Sequence, residues 1–121
     1  MKDARPRLSR ELKRMLAETI EALHAALGEN LRLVTLYGSY ARAAAGPDSD
    51  VDLLVVLRSA SPSDEDLVSR VTYDVMWDND FRFLLSALVL DENEYHRIIA
   101  EGYSFARNVE REGMVLWPKA A

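Results

Sequence analysis

The feature that most restricts the fold is a pair of aspartates, Asp50 and Asp52, at the entrance to the apolar run Leu53–Leu57. A continuous run of Leu and Val predicts a strand buried on both faces, and we place it at 51–57. A carboxylate in such a strand is costly unless it is paired or binds a metal ion. Since residues i and i+2 of a strand share a face, the two carboxylates are expected side by side, with Cα atoms about 6.6 Å apart.

A second motif, Gly38-Ser39, ends another apolar run, which predicts a strand at 31–37. The Ala-rich stretch 39–45 then opens a helical turn. Loops of this kind bind phosphate, because unpaired backbone N–H groups and the helix dipole both favour an anion. Arg42, one turn further on, is placed to reach the same phosphates.

The two motifs together predict a site for a Mg²⁺–nucleoside triphosphate. Hard cations such as Mg²⁺ take one or two carboxylates from a protein and complete their shell with substrate phosphates. In this interpretation Asp50 and Asp52 bind the metal, and Gly38 and Ser39 hold the triphosphate. Each residue also has a structural interpretation: Gly38 as an ordinary turn, Ser39 as a cap, Arg42 as a surface cation, and Asp50 as a turn residue.

Gly-Ser, ten residues, and then Asp-x-Asp is a pattern that resembles the minimal nucleotidyltransferases of the polymerase-beta-like nucleotidyltransferase superfamily. The resemblance implies an α/β (α+β) fold, with one two-layer domain over 1–121 that packs helices on a small mixed sheet. It also implies catalysis by Asp50 and Asp52 with one or two Mg²⁺ ions, and ATP held by Gly38, Ser39 and Arg42. Family members often have Gly after this Arg; here the residue is Ala43, which stiffens the loop.

The departure from the family pattern that matters most concerns a third carboxylate. Catalytic members usually carry it on a neighbouring strand, where it completes the metal site and helps to deprotonate the attacking hydroxyl. Aligning the family's strand with 83–86 places Leu84 at that position, and Leu can neither bind a metal nor accept a proton. Asp78 and Asp80 are close in sequence, but their position favours a role in ending a helix. Nucleotide binding is therefore better supported than turnover.

The rest of the chain predicts six more elements, four helices and two strands, and one aromatic surface. Helices are expected from Ser9 to Gly28, from Ser61 to Trp77, after the cap residue Asp91, and over 103–111. A third strand is expected at 81–90 and a short edge strand at 114–117. Tyr73 and Trp77 share a stripe of the second long helix, which favours the core or a subunit interface over a base-stacking platform.

Charge and composition exclude several classes of function. The net charge of −5 argues against direct nucleic-acid binding, which needs a basic surface. The first fourteen residues are basic and favour a solvated helix face, although an acidic partner is an alternative. No long apolar run or secretory signal is present, and cysteine is absent, which is compatible with the cytoplasm.

Three functions are compatible with these residues. The resemblance implies transfer of AMP to a protein hydroxyl, since minimal nucleotidyltransferases often pair with HEPN-domain proteins as toxin–antitoxin systems. Leu84 favours a second function, a nucleotide-binding module that neutralises the same partner without chemistry. Nucleotidylation of a small molecule is a third, although such relatives usually carry an added helical domain. The aromatic stripe also leaves room for a homo-oligomer.

Overall fold

Four strands form one mixed sheet in the order β3-β2-β1-β4 in the computed structural model, which describes residues 8–46 and 48–119. The strands are β1 (Leu31–Tyr37), β2 (Val51–Leu57), β3 (Leu85–Asp91) and β4 (Met114–Trp117). β1 pairs antiparallel with β2 and with β4, whereas β2 and β3 are parallel. The predicted mixed sheet with packed helices is confirmed, and 31–37, 51–57 and 114–117 are strands with the expected bounds.

The helices begin at or next to the predicted positions, and three of them begin after a capping side chain. They are α1 (Arg10–Leu27), α2 (Pro62–Asp78), α3 (Glu92–Ala100) and α4 (Ser104–Glu112), and a short 3₁₀ turn, Gly28–Asn30, follows α1. Ser9, Ser61 and Asp91 each accept a hydrogen bond from a backbone N–H in the first turn of α1, α2 and α3 respectively. Ser61 and Asp64 complete a capping box at the beginning of α2.

The two faces of the sheet are covered unequally. Helices α1 and α2 pack on one face and bury a large apolar cluster with Val51, Leu53, Val55 and Leu57 of β2. Helices α3 and α4 cover only part of the other face, where Leu54, Val56 and Val109 are buried. Because β2 points alternate side chains to the two faces, its run of Val and Leu is buried on both, as predicted.

The third strand was wrongly predicted at its beginning. Residues 81–84 form a turn, and β3 begins at Leu85 and ends at Asp91. Asp80 and Phe81 both have positive φ angles, of 54° each, which an extended strand does not allow. The apolar residues before Leu85 suggested a strand, but they belong to the turn that follows α2.

The core alternative for Tyr73 and Trp77 is also wrong, since their exposed fractions are 52% and 63%.

Some predicted features lie outside the described residues: Lys2, Arg5 and Arg7 of the basic N-terminal stretch, and Pro47 of the turn before β2. Among the described helices, none has the length and apolar character needed to cross a membrane.

Candidate nucleotide-binding site

The Gly-Ser motif and the aspartates meet where β1 ends and β2 begins. Tyr37, the last residue of β1, pairs with Asp52 in the antiparallel ladder, so Gly38 follows directly beside that carboxylate. Asp50 precedes β2 by one residue and is exposed, whereas Asp52 is half-buried. The antiparallel register thus brings together two motifs that are ten residues apart in sequence.

Gly38 is required at its position for two separate reasons. Its φ angle is +75°, in the left-handed region that favours glycine. A Cβ atom added at this position would overlap the Asp52 carboxylate. The absent side chain therefore leaves the space in which the Asp52 carboxylate approaches the backbone of the turn.

The turn after Gly38 presents unpaired backbone donors. Arg42 N–H donates to the Gly38 carbonyl at 3.1 Å, and Ala44 N–H donates to the Ser39 carbonyl at 2.8 Å, which closes a single helical turn. Within residues 8–46 and 48–119, no acceptor bonds the N–H groups of Ser39 and Tyr40. Successive free N–H groups at the beginning of a helical turn form a cradle for an anion.

The end of β1, the turn that follows it and Asp52 line a cleft of about 400 Å³. Gly38, Ser39, Arg42 and Asp52 lie along one side of it, and the opposite side comes from α4. Four of the five residues predicted from the motifs thus share one cavity. Asp50 is not among its lining residues, but its charge acts on Asp52 from close by.

Helix α4 supplies site residues that the motifs did not indicate. Its lining residues share one face, at steps of three and four: Phe105, Asn108, Val109 and Glu112. Phe105 meets the Tyr37 ring edge to face, with centroids 5.4 Å apart. The 3.6-residue period over 105–112 was the only sequence signal, and it predicts a packed face without indicating what the face contacts.

Arg42 is already engaged in the cleft by a carboxylate. Its guanidinium lies 3.9 Å from the Glu112 carboxylate, and both side chains are substantially exposed. Exposed ion pairs of this length contribute little to stability. Because the pair is weak, a phosphate group can compete with Glu112 for the Arg42 side chain.

The electrostatics of the cleft favour a bound cation. Burial, and next the negative charge of Asp50, raise the pKa of Asp52, while Arg42 partly opposes this change. Burial and the Asp52 charge likewise raise the pKa of Tyr37, whose phenol therefore stays protonated. Two neighbouring carboxylates repel each other, and a divalent cation between them would remove that repulsion.

The donor set fits one Mg²⁺ ion that also binds substrate phosphates. Asp50 and Asp52 supply two hard oxygen ligands, the number such sites usually take from the protein. No group of three or more potential metal ligands occurs in the described part of the chain. The parallel register places Ser86 beside Asp52, and Leu84 accepts a hydrogen bond from Val51 N–H at 2.8 Å. Neither Leu84, in the turn before β3, nor Ser86, in β3, therefore provides a third carboxylate.

The comparisons with known proteins agree with this geometry. A family model described as "Nucleotidyltransferase domain" matches residues 16–105. A Methanocaldococcus jannaschii protein named "Putative protein adenylyltransferase" is 29% identical over 105 residues, which cover 87% of this chain and 97% of that protein.

Two solved structures have the same fold. One, described as "a putative nucleotidyltransferase" from Sulfolobus solfataricus, has a TM-score of 0.56 and 24% identity, covering 92% of this chain and 89% of that one. The other contains a tri-AMPylated Shewanella oneidensis HEPN toxin in complex with MNT antitoxin. Its TM-score is 0.54 with 16% identity, covering 88% of this chain and 72% of that one. At these identities the likeness concerns the fold alone.

Proposed function

Because this chain belongs to the nucleotidyltransferase domain family, we propose that it transfers AMP from Mg²⁺-bound ATP to a hydroxyl group of a partner protein, with release of pyrophosphate and of the hydroxyl proton. The observation that carries the proposal is the position of Asp52, half-buried beside Gly38 in a cleft that also contains Arg42. The cleft combines three kinds of group that suit a metal-bound triphosphate. The carboxylate suits the metal ion, the free backbone N–H groups suit phosphate oxygens, and the guanidinium suits phosphate charge.

Each residue has a distinct role in this proposal. Asp50 and Asp52 hold the metal, which when bound neutralises phosphate charge and orients the triphosphate. The N–H groups of Ser39 and Tyr40, with the Ser39 hydroxyl, bind phosphate oxygens. Arg42 exchanges Glu112 for a phosphate and so adds a charge-assisted hydrogen bond.

The α4 side of the cleft is the proposed contact for the nucleoside. Phe105 offers an aromatic ring and Asn108 offers an amide that can both donate and accept. This combination suits a base and a ribose, which present a flat apolar face and polar edges. ATP is the proposed nucleotide because the M. jannaschii relative is named for adenylyl transfer.

The proposed acceptor is a HEPN-domain toxin, for which this chain would serve as antitoxin. Support comes from the Shewanella oneidensis structure, whose description pairs an AMPylated HEPN toxin with an MNT antitoxin. The M. jannaschii relative adds support, since its name specifies a protein as the substrate.

A second candidate function is neutralisation by binding alone. It is favoured by one observation: the residues beside the two aspartates are Leu84 and Ser86, so the described residues offer no third acid there. A positioned general base is worth about 10²- to 10⁴-fold in rate. A protein without one can still bind nucleotide and partner while its turnover is very slow.

The experiment that separates the two functions is incubation of a cognate HEPN-domain protein with labelled ATP, Mg²⁺ and this chain. We expect slow labelling by the wild type, faster labelling by Leu84→Asp or Ser86→Asp, and none by Asp50→Asn/Asp52→Asn. Because Leu84 and Ser86 are exposed, an introduced carboxylate should be tolerated by the fold. Neutralisation of the toxin without labelling by any form would favour the binding function and reject transfer. Label on a small molecule would instead favour the third alternative.

A further inference from the structure

Three aromatic side chains form an exposed cluster that has no part in the cleft. The cluster, called the aromatic patch below, consists of Tyr73, Trp77 and Phe81, with exposed fractions of 52%, 63% and 40%. The rings contact one another, with centroid separations of 6.4 Å for Tyr73–Trp77, 5.8 Å for Tyr73–Phe81 and 6.0 Å for Trp77–Phe81. Contiguous exposed apolar surface of this kind marks interaction sites, and Trp and Tyr dominate binding energy at interfaces.

The backbone is strained in a way that completes this patch. Phe81 N–H donates to the Met76 carbonyl at 2.8 Å, so the chain turns back on the last turn of α2. Phe81 has φ of 54°, a conformation that bulky aromatic residues rarely adopt, whereas Asp80, with the same φ, is of a residue type that tolerates it. The turn thus adopts an unfavourable backbone conformation at Phe81. This conformation places the Phe81 ring against the rings of Tyr73 and Trp77 and leaves it exposed to solvent. Backbone strain of this kind clusters at functional sites.

Acidic side chains border the patch, and they are called the acidic border below: Asp74, Asp78 and Asp80, all exposed. Asp74 and Asp78 follow Tyr73 and Trp77 by one position each, so the acidic and aromatic stripes run side by side along α2. Among the described residues, no ion pair engages the acidic border. The nearby Arg82 is already paired with Glu11.

Charge complementarity determines the class of occupant. A guanidinium or ammonium group gains from the face of an aromatic ring, and Arg in particular also stacks on such rings. Neighbouring carboxylates add attraction for the same cations and repel acidic or nucleic-acid surfaces. A neutral apolar partner would leave three carboxylates unpaired at the edge of the interface.

The patch lies at the same end of the sheet as the aspartates. Leu85 N–H lies 3.3 Å from Met76 Sδ, which ties the end of α2 to the beginning of β3. Leu84 in turn bonds Val51, between the two aspartates. Phe83 meets the Tyr40 ring at 6.3 Å, so the turn after α2 also contacts the phosphate-binding turn. A partner seated on the patch would therefore lie at the end of the sheet that carries the two aspartates.

We infer that the aromatic patch and its acidic border form a docking surface for an arginine- and lysine-rich segment of a partner protein. This inference deepens the proposed function. It rests on that function in one respect, namely that the docked protein is the acceptor of AMP. Docking itself needs neither ATP nor Mg²⁺. The partner's basic side chains would stack on the rings and pair with the carboxylates.

The test uses a fluorescein-labelled amphipathic peptide of Arg, Leu and Ala, with a matched peptide that has Glu in place of Arg. Binding is measured by anisotropy without nucleotide. We expect the basic peptide to bind and the acidic one to fail, and Tyr73→Ser/Trp77→Ser to weaken binding by at least about tenfold. Tyr103→Ser is the matched control, since Tyr103 is 51% exposed and lies outside the patch.

Charge reversal provides an independent variant that leaves the rings in place. Asp74→Lys/Asp78→Lys should lose the basic peptide and gain the acidic one, whereas Glu65→Lys/Asp66→Lys, at the other end of α2, should change little. In a Trp117→Phe background, Trp77 is the sole tryptophan, and its emission should shift to shorter wavelength on binding.

Three results would overturn the inference. One is unchanged binding of the basic peptide by the Tyr73→Ser/Trp77→Ser variant. Another is equal binding of both peptides. The third is a concentration-dependent dimer that disappears in that variant, because the occupant would then be a second copy. ATP binding measured on the same variants distinguishes failure of docking from failure of the nucleotide site, since no docking substitution touches the cleft.

Discussion

The two faces of the sheet differ in what covers them, and the difference separates stability from function. On the α1–α2 side, every apolar side chain of β2 is buried in a continuous cluster. On the α3–α4 side, burial is complete only near Leu54 and Val56. Towards the end of that face lie Asp52 and the exposed Ser86 and Leu88. One face holds the fold together, and the incomplete cover of the other leaves the cleft open.

The largest expected effect is the loss of stability when a leucine on the α1–α2 face is truncated, compared with a leucine on the other face. Leu53 is fully buried on the α1–α2 side, so Leu53→Ala should cost about 2–5 kcal/mol of unfolding free energy. Leu88 is 39% exposed on the other side, and Leu88→Ala should cost less than about 1 kcal/mol. Urea unfolding measures both values. Similar costs at the two positions would mean that the faces do not differ as described.

The next effect concerns the glycine between the two motifs. Gly38→Ala should lose about 1–3 kcal/mol of stability, because Ala at φ of +75° is strained and its Cβ meets Asp52. It should also abolish ATP binding by displacing the carboxylate. Gly46→Ala is the matched control: apart from its chain neighbours, no atom of the described residues lies within 4 Å of its added Cβ, and the change should stay within about 1 kcal/mol. Equal behaviour of the two variants in unfolding and calorimetry would contradict the role given to Gly38.

The smallest expected effect is a pH dependence of the unfolding free energy, which should have opposite signs for Asp52 in the cleft and for Asp64 in the helix cap of α2. Burial and Asp50 raise the folded-state pKa of Asp52, so its contribution to stability is present at low pH and lost as pH rises through that pKa. Hydrogen bonds from Ser61 lower the pKa of Asp64, so its contribution is present above its unfolded value of 3.8 and lost on acidification.

The measurement for this pair is the unfolding free energy of each Asn variant relative to wild type, from neutral to acidic pH. Asp52→Asn should be the more stable form at neutral pH, and its advantage should shrink as the solution is acidified. Asp64→Asn should be the less stable form at neutral pH, and its deficit should shrink on acidification. Matching signs would show that burial and the Asp50 charge do not raise the pKa of Asp52 in the folded protein.

Sequence periodicity was sufficient to predict the elements in which the local residue pattern and the packing of the folded chain favour the same structure. Strand β2 was predictable because Val and Leu fill both faces, and α1 because Ser9 and Gly28 mark its ends. The beginning of β3 was not, because residues 81–84 are as apolar as a strand, and only tertiary packing selects the turn. No local rule predicts positive φ at Asp80 and Phe81.

The site was predictable in the parts that belong to short motifs. Gly38, Ser39, Arg42 and Asp52 share the cleft as the spacing of the motifs indicated. The α4 side was not foreseen, because its contact with β1 joins segments about seventy residues apart in sequence, and only the folded chain defines it. For Tyr73 and Trp77 the core alternative was wrong and the interface alternative stays a prediction, because aromatic residues at helical spacing are typical of both settings.

The most direct test of the account is calorimetric titration of ATP into the wild type and into Asp50→Asn/Asp52→Asn, each with and without Mg²⁺. We expect Mg²⁺ to strengthen ATP binding by the wild type, and the double variant to lose this Mg²⁺-dependent part of the affinity. The variant should keep its fold and gain stability, because two neighbouring carboxylates no longer repel each other. Mg²⁺-dependent affinity that is unchanged in the double variant would contradict the assignment of the two aspartates as the metal site.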